Sequence, residues 1–225
     1  MTPLVVINPN SSEDVTEGIA AGLRPLQRWG HPIKCLTLDE GPPGIETQAQ
    51  ADLVIGPLLR LAEAQEAAGF VVACFGDPGV QALRDVVDVP VVGIQEAGVL
   101  AALALGERFG VISILPGSVP RHLRAFGAMG VLDRLAGDRA LGRGVAELAG
   151  GDTLEAMVAT GRVLVEQDGA DVIVMGCAGM ARYRDRLEAA LGVPVVEPCA
   201  AGVALALSQV ALGWKRIKGD PHAAG

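Results

Sequence analysis

Cys74 and Cys177 are the residues whose type and setting most directly suggest chemistry in this chain of 225 residues. Each closes an apolar, strand-like run and opens a glycine-bearing turn. The first reads Phe70-Val71-Val72-Ala73-Cys74-Phe75-Gly76-Asp77-Pro78-Gly79, the second Val172-Ile173-Val174-Met175-Gly176-Cys177-Ala178-Gly179-Met180. Downstream of each stands the same tetrapeptide, Val-Pro-Val-Val, at 89–92 and 193–196, in nearly the same register. Upstream, Val5-Val6-Ile7-Asn8-Pro9-Asn10-Ser11 has a looser echo in Ile112-Ser113-Ile114-Leu115-Pro116-Gly117-Ser118. A duplicated half-domain sets the two thiols opposite each other. Two opposed acid–base groups are what removal of a proton from one face of a carbon and its return to the other face require.

The surrounding residues suit that chemistry. A thiol at a strand end, before a turn and a helix N-terminus, is placed where backbone N–H groups can lower its pKa. Gly76, Gly79, Gly176 and Gly179 let a carbonyl approach the backbone closely. Paired N–H groups there would hold an enolate oxygen, typically the largest contribution to such a reaction. Asn8-Pro9-Asn10-Ser11-Ser12 ends the first strand; its polar side chains either cap the next helix or face the cleft. Asp77 is either a helix cap or a polar group on the substrate, and Glu197 either faces the cleft or caps the last helix. Cys35 sits inside a strand pattern without a glycine turn and reads as structural, and Cys199, with no partner in the first half, is left out of the mechanism. His31, His122 and His222 form no Cys–His pair in the pattern, which weighs against acyl transfer or proteolysis.

Short Val/Ile-rich runs alternate with Ala/Leu-rich segments of helical period, the pattern of βαβ units and parallel sheets covered on both faces. Strands are expected near 3–8, 33–38, 70–74, 90–93, 109–114, 172–176 and 194–196. Helices are expected near 12–28, 48–68, 79–86, 95–106, 118–128, 152–168, 180–190 and 199–213. Segment 129–151 reads as a loop or as a weak counterpart of the second strand, and the residues after 213 as a helix end and frayed terminus. The fold class is therefore α/β with two pseudo-symmetric lobes, each a parallel sheet flanked by helices. Residues 1–94 plus about 196–225 form the first lobe and 95–195 the second, with the active site in the cleft between them.

Half the residues are hydrophobic and only 3% aromatic, a composition for a packed α/β core. A net charge of −8 argues against binding a phosphate backbone, so no nucleic-acid partner is expected. The start shows no basic leader, and apolar stretches are broken before membrane-spanning length. A cytoplasmic protein with free thiols, no membrane partner and no metal site is expected.

Ile7-Asn8-Pro9-Asn10-Ser11-Ser12, Ala73-Cys74-Phe75-Gly76-Asp77-Pro78-Gly79 and Gly176-Cys177-Ala178-Gly179-Met180 together resemble the hydantoin racemase branch of the aspartate/glutamate racemase superfamily, from residue 4 to about 210. The resemblance implies a racemase that inverts carbon 5 of substituted hydantoins, allantoin included, without cofactor or metal. It implies that Cys74 and Cys177 are the two bases, that neighbouring backbone amides hold the substrate carbonyls, and that the enzyme is a homo-oligomer. The substrate-binding set it implies is Asn8, Pro9, Asn10, Phe75, Gly76, Asp77, Ser113, Ala178 and Gly179. Glutamate racemases carry Asp-Ser after the first strand and Cys-Thr-His around the second cysteine; this chain has Asn8-Pro9-Asn10 and Cys177-Ala178-Gly179, which counts against a free amino acid. Hydantoin racemases carry two threonines where this chain has Ser113 and Ile114, so contacts to the ring differ. The alternatives are an amino acid racemase of the aspartate/glutamate type, a related isomerase or decarboxylase, and a small-molecule-binding protein without turnover. A cleft lined by Arg84 or Arg121 would favour a substrate carboxylate.

Overall fold

The structure is a computed structural model describing residues 1–149 and 152–214. The tail from 215 on, His222 included, lies outside the described residues. The strands are β1 (Leu4–Asn8), β2 (Ile33–Thr37), β3 (Gly69–Val72), β4 (Val91–Gly93), β5 (Phe109–Ser113), β6 (Leu135–Ala140), β7 (Val172–Met175) and β8 (Val195–Val196). They form two four-stranded sheets, ordered β2-β1-β3-β4 and β6-β5-β7-β8, parallel throughout. The order is the same in both, as the internal echo requires. Every residue of β1, β3, β5 and β7 is buried, which is why they read as continuous apolar runs rather than alternating ones. Pro90 and Pro194 stand just before β4 and β8, where a missing N–H costs nothing. Their carbonyls accept the N–H groups of Phe70 and Ile173 at 2.8 and 2.9 Å.

The helices are α1 (Glu13–Leu23), α2 (Gln48–Leu53), α3 (Ile55–Glu63), α4 (Val80–Val86), α5 (Ile94–Leu105), α6 (Val119–Met129), α7 (Thr153–Glu166), α8 (Arg184–Leu191) and α9 (Pro198–Ala211). Three expected helices differ. The one over 12–28 stops at Leu23 and tightens to a 3-10 turn over Arg24–Trp29, because Pro25 has no N–H for the carbonyl four residues back. The one over 48–68 divides at Val54, since Pro57 has no N–H for the carbonyl four residues back. The one over 180–190 begins instead as a 3-10 turn, Ala178–Tyr183, that leads into α8. Segment 129–151, open between loop and strand, contains β6, which pairs with β5 as β2 pairs with β1. Its half-buried Leu-Ala-Gly-Asp-Arg-Ala edge lacks the apolar run that marks the central strands.

The chain crosses between the sheets twice. Helix α5 leaves β4 and packs on the second sheet, Val99 and Ala102 clustering with Val172 and Val174. Helix α9 leaves β8 and returns to the first, Cys199, Val203 and Ala206 clustering with Leu4, Val6 and Val71. Gly98 lets the two helices touch, since a Cβ there would press on Pro198.

Candidate active site

In parallel sheets ligands gather beyond the carboxyl ends of the strands, and Cys74 and Cys177 follow β3 and β7 there. Both line one small cavity of about 20 Å³. Asn10, Ile45 and Phe75 close it from the first sheet's side; Ile114, Arg121 and His122 close it from the second's. A larger groove of about 1380 Å³ lies among α1, α5 and α9, yet neither cysteine reaches it. The reactive side chains therefore point to the smaller cavity.

Burial pushes both thiols above the usual range. For Cys74 the proximity of Cys177 and of Asp77 adds to this, and the Arg121 guanidinium opposes it. Cys177 is pushed up to about 11; the Gly179 N–H pulls it back, while the Glu46 carboxylate adds to the rise. The expected lowering by turn amides is thus present at Cys177 but outweighed by desolvation. Beside each thiol is an unpaired donor: the N–H groups of Phe75 and Ala178, both on the cavity wall, have no acceptor among the described residues.

The structure separates the other expected residues. Asn10, Phe75, Ala178 and Gly179 line the cavity; Asn8, Pro9, Gly76, Asp77 and Ser113 do not. The Asn8 amide donates to Asn10 Oδ1 at 2.9 Å and Thr16 Oγ1 at 3.0 Å, and its own Oδ1 takes the Asn10 N–H. Those bonds lock the strand-end turn and present the Asn10 side chain. Ser12 caps α1 by accepting Val15 N–H. Asp77 caps not its own helix but α5, accepting Gln95 N–H at 2.8 Å and Glu96 N–H at 2.9 Å. Burial raises its carboxyl to about 7 against the pull of those amides. Glu197 does the same service for α9, accepting the N–H groups of Cys199 and Ala200. Cys199 is fully buried in the first core, and Cys35 packs at that core's margin.

Ile45 and Val145 on the cavity wall were not singled out from sequence; Arg121, named there as a cation that would favour a carboxylate if it lined the cleft, does line it. Arg121 bonds Glu46 O, Gly117 O and Ser118 Oγ, and no carboxylate pairs with it among the described residues. Arg84 is elsewhere, tied to Val91 O and Glu96. His122, read only as lying on an Arg-flanked helix, reaches the cavity from α6. Among the described residues no three His, Cys, Asp or Glu side chains converge to hold a metal, and no helix is long and apolar enough to cross a membrane.

Twin parallel sheets of one strand order, flanked by helices and meeting at a shared cavity, define an α/β protein of the Asp/Glu racemase fold. The family model for Asp/Glu/hydantoin racemase matches residues 4–206, and the chain belongs to that family, an enzyme of the racemase class. It is 37% identical to the hydantoin racemase of Pseudomonas sp. strain NS671 over 95% of this chain and 88% of that one. It is 34% identical to the hydantoin racemase of Paenarthrobacter aurescens, over 97% of this chain and 95% of the other. Among solved structures, allantoin racemase from Klebsiella pneumoniae superposes with a TM-score of 0.90 at 31% identity, covering 100% of this chain and 97% of its own.

Proposed function

We propose that the protein racemises 5-substituted hydantoins, allantoin among them, by two-base proton transfer at carbon 5. The thiolate of one cysteine takes the C5 proton and becomes a thiol. The electron pair moves into the adjacent carbonyl, whose oxygen is held by the N–H groups of Phe75 and Ala178. The opposite thiol then delivers its proton to the other face and becomes the thiolate, so the enzyme is ready for the reverse enantiomer. The observation that carries this reading is the convergence of Cys74 and Cys177, from equivalent strand ends, on one cavity. The similarity to hydantoin and allantoin racemases supports the substrate class. We take residues 1–94 with 196–214 as one lobe and 95–195 as the other, the enzyme acting in the cytoplasm as a homo-oligomer without metal or cofactor; its unpaired cysteines suit a reducing compartment.

The test is to incubate each enantiomer of a 5-substituted hydantoin, and of allantoin, in deuterated water and follow rotation and C5 deuteration. Loss of rotation with deuterium uptake from both enantiomers supports the reading; no change with any of them overturns it. One observation favours a second reading: Arg121 lines the cavity as a cation without a carboxylate partner among the described residues. A substrate bearing a carboxylate, including an amino acid of the aspartate/glutamate type, would meet it. Aspartate and glutamate belong in the same assay.

A further inference from the structure

A buried polar cluster stands against the cavity beside the thiols. It is built from Ser113 at the end of β5, His122 in the first turn of α6 and Asp138 in β6. The Ser113 hydroxyl donates to Asp138 Oδ1. His122 Nδ1 lies 2.8 Å from Asp138 Oδ2 and 3.2 Å from Ser113 Oγ. The His122 and Asp138 side chains are 2% and 1% exposed. Phe75, the residue after the first cysteine, meets the imidazole edge-on at 4.9 Å between centroids. Burying such a group costs stability unless its polar atoms are matched, and an apolar side chain would fill the space without that cost.

A carboxylate only accepts, so the proton between His122 and Asp138 sits on Nδ1. Nε2 is then the atom left for the cavity. It makes no hydrogen bond among the described residues, although its ring lines the cavity with both thiols. We propose that His122 is a substrate-contacting residue: Asp138 and Ser113 hold its imidazole in the Nδ1–H tautomer, and Nε2 accepts a hydrogen bond from a ring N–H of the substrate. The inference rests on the reading of the substrate as a cyclic imide, which carries such an N–H, and it makes His122 the residue that selects for it. A site built to accept an N–H rejects analogues lacking one far more strongly than an apolar pocket does.

The test compares His122→Phe, His122→Gln and Asp138→Asn with the wild type, using a 5-substituted hydantoin and its N-methylated analogues. His122→Phe is expected to raise KM about tenfold or more, the cost of an unpaired polar group, with kcat within a few-fold. His122→Gln, which can offer a carbonyl oxygen, should recover part of the loss. Asp138→Asn donates to Nδ1, moves the proton to Nε2 and should raise KM as His122→Phe does. The wild type's discrimination against methylation at the contacted nitrogen should collapse in His122→Phe, a coupling that a packing role alone would not produce. Wild-type KM and wild-type discrimination in His122→Phe overturn the inference and leave the racemase reading intact. If the wild type racemises no hydantoin, the substrate reading falls instead, and ¹⁵N NMR of His122 decides the inference. An unprotonated Nε2 whose signal moves on adding hydantoin supports it; a protonated Nε2 or an unmoved signal overturns it.

Discussion

The two thiols share a role but not a setting. Cys74 has Arg121 nearby, whereas Cys177 has the Glu46 carboxylate and the Gly179 N–H. Burial disfavours the thiolate at both more than the local donors favour it, so the thiolate that takes the C5 proton is a minor form of the free site. The pH dependence follows in sign. With Cys177 pushed up to about 11, its thiolate fraction at neutral pH is small and grows about tenfold per pH unit until that pKa. In a Cys74→Ser background, alkylation of Cys177 by iodoacetamide, read by peptide mass spectrometry, should climb with that slope through pH 7 to 10 without a plateau. A plateau near pH 8 would mean an activated thiolate in the free enzyme. Each single Cys→Ser variant should lose about 10³-fold or more in racemisation, the scale of a missing general acid or base, while still exchanging the proton of one enantiomer. Wild-type-like turnover in either removes the two-base mechanism.

At the scale of elements, the two halves solve one problem from different positions. Helices α5 and α9 both begin straight after a Val-Pro-Val-Val strand, and both need a carboxylate at the N-terminus. In the second half Glu197, the residue after the strand, supplies it. In the first half the corresponding place is Gly93, and Asp77 reaches in from the β3–α4 turn, held at a φ of 50°. A Cβ on Gly93 would land inside the Asp77 carboxyl group. Gly93→Ala should therefore cost about 1–3 kcal/mol as an overpacked site, and Asp77→Ala about 1–2 kcal/mol as a lost cap. In the Asp77→Ala background, adding Gly93→Ala should cost less than about 0.5 kcal/mol, since the clash is gone. Denaturant melts of the four proteins check this. Additive losses would show that the clash is relieved elsewhere.

At the scale of the whole molecule, a bridge between the two sheets stands beside the thiols. A cavity of about 20 Å³ holds little more than one water, so a ring enters only when the walls part. Among the described residues, segment 39–47, which follows β2, hydrogen-bonds across the gap through Glu46. The Glu46 carboxylate accepts the Val145 N–H at 2.9 Å, and its carbonyl accepts from Arg121 at 2.8 Å. Glu46→Ala removes the first bond, and a hydrogen bond contributing about 1 kcal/mol holds opening down about fivefold. Alkylation of both Cys74 and Cys177 should accelerate by about that factor. An unchanged rate at Cys74, which Glu46 does not acidify or repel, would show that this fastening does not control entry.

The sequence by itself determined the α/β class, the repeat and the pair of thiols. These are local signals: buried parallel strands must be continuously apolar, and a strand end that meets a ligand needs glycine. The family resemblance drawn from those motifs agrees with the family to which the chain belongs. Tertiary structure alone decided which polar residues meet the thiols. Asp77 and Asn8 look like site residues in a linear reading, yet their hydrogen-bonding capacity is taken up by α5 and by the strand-end turn. Arg121, His122, Ile45 and Val145 sit in segments with no motif and come to the cavity only because the sheets place α6, segment 39–47 and the turn at 145–149 around it. Edge strand β6 was open in the sequence for the same reason. Half-buried, it is specified by its neighbour rather than by its own residues, and it carries Asp138, whose partner His122 no local pattern could assign.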